Sequence, residues 1–193
     1  MCKIIGITNR HLCEGDYYTQ IEKVVRIMDG RLEAIVVREK DLSPEEYMVL
    51  AKRVLEICHE HACKCILHSY PEVALELGCR NIHLPLHKIE EMHNKIEGKQ
   101  ILNEFNIVGV STHSVEDALK AQNLGATYIT AGHVFATDCK KGVPPRGIDF
   151  LENVCKSVSI PVYAIGGIND NNIKSVIRAG AEGACIMSGI MRM

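Results

Sequence analysis

No charge of one sign dominates this chain. Its 193 residues carry 22 lysines and arginines against 24 aspartates and glutamates, a formal net charge of −2. No basic stripe is visible, so the electrostatic footprint of a nucleic-acid binder is missing. No apolar run approaches the ~20 residues that a membrane-spanning helix needs. The opening MCKIIGITNR enters a strand-like apolar run at once and lacks the charged region, long apolar core and cleavage site of a secretory signal. The expectation is a cytoplasmic protein with neither nucleic acid nor membrane as partner. No linker-like or low-complexity stretch divides the chain, and its length suits one domain over residues 1–193.

Cysteine, by contrast, is plentiful. An odd count of nine at irregular spacings does not form a disulfide framework. Reduced thiols, mostly acting as small buried apolar residues, are expected. The cluster CHEHACKC at 58–65 invites a metal reading. It runs from the end of a helical pattern into a strand-like one, and no second ligand pair follows at zinc-site spacing. His59 and His61, two apart, face different ways on a helix. A helix end followed by a buried strand is the expectation, and no metal is assigned.

What recurs is short runs rich in isoleucine and valine: residues 3–8, 33–38, 64–68, 81–84, 106–111, 127–131, 161–167 and 183–187. They are near-continuous rather than alternating, as strands buried on both faces of a parallel sheet are. Helical patterns lie between most of them. Residues 17–30 end on a glycine suited to a helix C-terminus. Ser43, Pro44 and Glu46 open a helix over 43–57 with a capping box. Helices are also expected over 114–125, 169–183 and the polar segment 88–104. Eight strands alternating with helices predict an α/β fold, the closed TIM (β/α)8 barrel. Only SGIMRM follows the eighth strand, so the final helix is expected to be missing or very short. The seam between strands 8 and 1 then needs a cover, from another segment or from a second subunit in a homodimer.

In such barrels the chemistry sits at the C-terminal ends of the strands. Arg38 and Lys40 follow strand 2, Ser111 ends strand 5, and His133, Thr137 and Lys140 follow strand 6. Gly166–Gly167 and Met187–Ser188 follow strands 7 and 8. Small residues there let backbone amides approach a phosphate, although a glycine pair also makes a plain tight turn. The cations on the same rim suit an anionic substrate.

The stretches VVREKDLS, GVSTHSVEDALKA, GATYITAGHVFATDCKKGVPPRGIDFL, IPVYAIGGI and GACIMSGI resemble the thiamine phosphate synthase / TenI family. The match runs from Ile4 to Ile190. The resemblance implies a barrel that handles a thiazole phosphate, with one of two activities. The synthase joins a pyrimidine diphosphate to the thiazole phosphate, with magnesium held by two aspartates. Ser69 and Lys88 stand at those positions here, and magnesium wants carboxylate oxygens. Val36 also replaces the synthase's usual glutamine, and Thr137 and Cys139 stand for its paired threonines. The strand-6 loop GHVFATDCKKG looks like that of the TenI branch, whose activity is thiazole tautomerase.

The expectation is therefore an isomerase without metal or redox cofactor. His133 would be the acid/base, since histidine titrates near ~6.5. Arg38, Lys40, Ser111, Thr137 and Lys140 would bind substrate, and Gly166, Gly167, Met187 and Ser188 its phosphate. A tautomerisation needs no covalent step, so Cys139 receives no nucleophilic role. Two alternatives stand beside it: a divergent magnesium-dependent thiamine phosphate synthase, and a regulatory protein that binds a thiazole phosphate without turnover.

Overall fold

In the computed structural model, which describes residues 2–28 and 30–193 with the backbone alone at 139, the apolar runs close into a parallel barrel. Its strands are β1 (Lys3–Ile7), β2 (Leu32–Val37), β3 (Cys65–His68), β4 (Asn81–Pro85), β5 (Ile107–Thr112), β6 (Tyr128–Gly132), β7 (Val162–Ile165) and β8 (Gly183–Ile186). Each pairs with the next, and β8 returns to β1 from Gly183↔Lys3 to Ile186↔Gly6. The near-continuous apolar runs have a two-sided explanation. Ile5, Ile7, Ala34, Val36 and Ile66 fill the barrel interior, while their neighbours Ile4, Ile35, Val37 and Leu67 are buried on the other face. Residue alternation along each strand makes both sets necessary.

The helices form the outer layer: α1 (Tyr17–Ile27), α2 (Pro44–Glu60), α3 (Pro71–Glu76), α4 (Leu86–His93), α5 (Ile96–Asn103), α6 (Val115–Asn123), α7 (Gly147–Ser157), α8 (Ile173–Arg178) and α9 (Ser188–Met191). The capping box at Ser43 and Glu46 forms in both directions. Asp16 and Ser114 cap α1 and α6. The cysteine-rich stretch 58–65 spans the end of α2 and the first residue of β3.

Four stretches depart from expectation. Residues 88–104 make two helices rather than one, and Gly98 in α5 packs so tightly that a Cβ would lie 2.2 Å from the Met92 carbonyl oxygen. The helix expected over 169–183 is cut to α8, because Asn172 Oδ1 accepts from the Asn169 N–H at 2.9 Å and Asn169 Oδ1 from the Asn171 N–H at 2.9 Å. Such side-chain bonds offer the backbone an alternative to helix. The short α3 was not anticipated, nor was α7 behind the VPPRG lead, although Ile148, Leu151, Val154 and Cys155 recur there at helical spacing. The last helix is short, and it covers the seam: Ile190 and Met191 are buried. Gln20 on α1 donates to the Ile190 carbonyl at 2.5 Å, and Lys23 to the Met193 carbonyl at 2.7 Å. Among the described residues no helix is long and apolar enough to cross a membrane.

The upper barrel interior is polar and aromatic. His83 Nδ1 meets the Tyr128 hydroxyl at 2.9 Å, and His83 Nε2 meets Ser111 Oγ at 2.8 Å. The His68 ring stacks on His83 at 5.5 Å and 19°. This packing depends on Gly109, where a Cβ would lie 2.2 Å from Tyr128 Cζ and 2.4 Å from His83 Nδ1.

Gly109→Ala should therefore lose about 1–3 kcal/mol of stability through overpacking, read from the urea midpoint; an unchanged midpoint contradicts this packing. The histidine pair predicts an acid-sensitive fold. Burial first, then the charges of Arg38 and Lys40, hold the His83 pKa down at about 3. Burial, then His83 and the same two cations, push His68 well below the usual range. Both folded values lie below the unfolded ~6.5, so the unfolded chain binds protons first as pH falls. Their stabilisation is complete above about pH 6.5 and is lost at up to ~1.4 kcal/mol per pH unit per histidine below it. Unfolding free energies should drop between about pH 6.5 and 5.5, above the range where most carboxylates titrate, and His83→Gln should flatten the slope. A pH-independent stability there would contradict the neutral pair.

Candidate active site

At the end of β2 the chain alternates cation and anion, and one buried carboxylate decides which side each faces. Glu39 is 2% exposed. Its Oε1 accepts from the Thr8 hydroxyl at 2.7 Å, and both oxygens accept from the Arg10 backbone N–H at 3.1 Å. Arg10 Nη1 adds a bond at 3.3 Å and reaches on to Asp41 at 2.7 Å. Asp41 is thereby held far below the usual carboxylate range, by Arg10 first and His11 next. With Glu39 turned outward and fixed, Arg38 and Lys40 face the barrel mouth.

That mouth is a cavity of about 520 Å³. Its wall includes every residue selected from the sequence: Arg38, Lys40, Ser111, His133, Thr137, Lys140, Gly166, Gly167, Met187 and Ser188. Residues at the ends of β2, β5, β6, β7 and β8 meet there because a closed parallel barrel gathers all strand C-termini on one rim.

The strand-6 loop is tied down by backbone bonds. Val134 N–H donates to Ile165 O at 2.9 Å, Phe135 N–H to Gly166 O at 3.0 Å, and Arg146 N–H to His133 O at 3.0 Å. Gly166 and Gly167 adopt φ of +101° and +65°. A Cβ on Gly166 would lie 2.4 Å from His133 Cβ, and one on Gly167 2.3 Å from the Ala136 carbonyl oxygen. Only glycine fits both the conformation and the space. His133 is buried, its Nε2 donating to the Val143 carbonyl at 3.2 Å while Nδ1 is occluded without a partner. The Cys139 side chain lies outside the described residues.

Charge in the cavity is one-sided. Arg38, Lys40 and Lys140 line it against one carboxylate among the described residues, Asp117. Asp117 Oδ2 already accepts from the His113 N–H at 2.8 Å. Partial burial of the Lys40 ammonium, then the charges of Arg38 and Lys140, hold its pKa below the ordinary lysine value. The floor is formed by the neutral imidazoles of His68 and His83. Sequence reasoning missed His83 and Asp117 as cavity residues. The first sits inside an apolar strand run, and the second in the first turn of a helix, where an acid already has a reason to be.

The positions at which a magnesium pair is implied do not fit that ion. Ser69, at φ +68°, engages its hydroxyl with His68 Nδ1 at 2.6 Å. Lys88 lies on α4 and does not line the cavity. Among the described residues no cluster of three metal-ligating side chains forms.

Comparison with known proteins corrects one expectation. A thiamine-phosphate synthase of Clostridium botulinum is 37% identical over 187 residues, covering 96% of this chain and 88% of the relative. One from Fusobacterium nucleatum is 32% identical, covering 98% and 89%. The solved thiamine phosphate pyrophosphorylase of Pyrococcus furiosus superposes with a TM-score of 0.83 at 29% identity, covering 100% of this chain and 88% of that one. These relatives bear the synthase name, a transferase, so the expected isomerase of the TenI branch, the thiazole tautomerase, is overturned. That expectation leaned on the eleven-residue loop GHVFATDCKKG and on Ser69 and Lys88, against similarity spread over the whole chain. The family described as thiamine monophosphate synthase matches residues 4–190, and the chain belongs to it.

Proposed function

We propose that this chain is a thiamine-phosphate synthase, a transferase that joins a pyrimidine diphosphate to a phosphorylated thiazole. The observation that carries the reading is that one cavity is lined by two kinds of anion-suited residues. Gly166, Gly167, Met187 and Ser188 bring small strand-end residues to it, and Arg38, Lys40 and Lys140 supply the positive charge.

The glycine wall suits a terminal phosphate, because backbone amides can approach it with no Cβ between. The cationic wall suits the diphosphate. In the transfer, the bond between the pyrimidine methylene carbon and the diphosphate oxygen breaks, and the oxygen keeps the electron pair. The thiazole nitrogen gives its lone pair to that carbon, forming the carbon–nitrogen bond and a thiazolium. Pyrophosphate leaves and no proton changes hands. A site for this reaction needs cations where negative charge develops, and it needs no general base. The neutral imidazoles of His68 and His83 are compatible with a carbon that becomes electron-poor, since they add no positive charge beside it. Ser111, held by His83, and Thr137 would orient the rings. His133 would serve the fit of the loop that carries Thr137 and Lys140.

Purified protein given the pyrimidine diphosphate and the thiazole phosphate should release thiamine phosphate and pyrophosphate in equal amounts, followed by phosphorus NMR. Lys140→Ala should lower kcat/KM by about 10²-fold through lost charge stabilisation. Gly166→Ala, which puts a Cβ against His133, should mainly raise the KM for the thiazole phosphate. Absence of thiamine phosphate from the wild-type reaction, with and without magnesium, would refute the assignment.

A further inference from the structure

The cationic wall has a consequence for the metal that synthase chemistry implies. Two carboxylates are wanted there, and their positions hold Ser69 and Lys88. The Ser69 hydroxyl is engaged with His68, and Lys88 is off the cavity. The acids that follow β2 are committed elsewhere. Glu39 is buried among Thr8 and Arg10, and Asp41 pairs with Arg10 and His11. Asp117, the one carboxylate among the described cavity residues, accepts a backbone N–H. Magnesium dehydrates reluctantly and is normally fixed by one or two carboxylates plus phosphate oxygens.

Protein cations fill the same electrostatic need. Arg38, Lys40 and Lys140 lie on one cavity, where partial burial first and then the other two charges make Lys40 easier to deprotonate. Lys40 and Lys140 have no carboxylate at ion-pair distance among the described residues. Like charges gathered in this way are relieved by an anion of several charges, and a diphosphate is such an anion.

Resting on the assignment of a diphosphate substrate above, we propose that Arg38, Lys40 and Lys140 hold that diphosphate directly and that no divalent metal is required. The leaving pyrophosphate is then neutralised by guanidinium and ammonium groups alone. The balance of the transfer is unchanged, since a metal would be neither consumed nor reduced.

Calorimetric titration of inorganic pyrophosphate into the purified protein tests this independently of turnover. Binding is expected in excess chelator, with an affinity within about threefold of that in excess magnesium. Lys40→Ala and Lys140→Ala should each weaken metal-free binding by about tenfold, with circular dichroism verifying the fold. Pyrophosphate binding that is absent in chelator and present with magnesium in the wild type overturns the proposal, as does no binding in either condition. A coupling assay in chelator separates the two readings. Coupling seen only with magnesium overturns the metal-free site and leaves the synthase standing. Metal-free pyrophosphate binding without coupling under any condition keeps the anion site and removes the synthase assignment.

Discussion

The orientation of the site depends on the buried carboxylate of Glu39. A carboxylate removed from water must be met by donors, and Thr8 and Arg10 supply them. Thr8 follows β1 and Glu39 follows β2, so the contact also locks two neighbouring strand ends. The Arg38 backbone N–H donates to the same Thr8 hydroxyl at 3.0 Å. With Glu39 fixed against Thr8 and Arg10, its neighbours Arg38 and Lys40 line the barrel mouth. Lys140 reaches that mouth from the other side of the ring, on a loop anchored to β7 by the Val134 and Phe135 amides.

The barrel interior beneath this charge is arranged to stay neutral. His68 and His83 are buried, stacked, and hydrogen-bonded to Ser69, Ser111 and Tyr128. The cations above them and the burial around them both disfavour protonation. Positive charge is thus confined to the rim, where a phosphate oxygen can meet it, and kept off the floor. Gly109 makes room for the two rings on which the floor depends.

Much of this was legible in the sequence, and the reasons are physical. Strands buried on both faces leave unbroken apolar runs, so all eight were visible along with their closure into a barrel. Strand ends carry the chemistry of this fold, so the ten residues chosen from those ends meet in one cavity. The rest depends on three-dimensional partners. Glu39 reads as a surface acid until Thr8 and Arg10 are seen around it. His83 reads as part of a strand until Ser111 and Tyr128 are placed on it. The brevity of α8 follows from asparagine side chains whose bonds no period reveals. The choice between two activities of one family went astray because a short loop and a few substituted positions, Ser69 and Lys88 among them, were weighed above the whole chain.

The most direct test of the account is the titration of Lys40 itself. Carbon-labelled lysine side chains followed by NMR, with Lys40→Arg assigning the signal, report its pKa with and without pyrophosphate. If the cations converge on an anion site, Lys40 titrates below the ordinary lysine value in the free protein. It then moves upward when pyrophosphate binds, because an adjacent anion favours the charged form. An ordinary value that pyrophosphate leaves unmoved would mean that the rim charges act as separate, solvated side chains, and that the cavity is not built around a diphosphate.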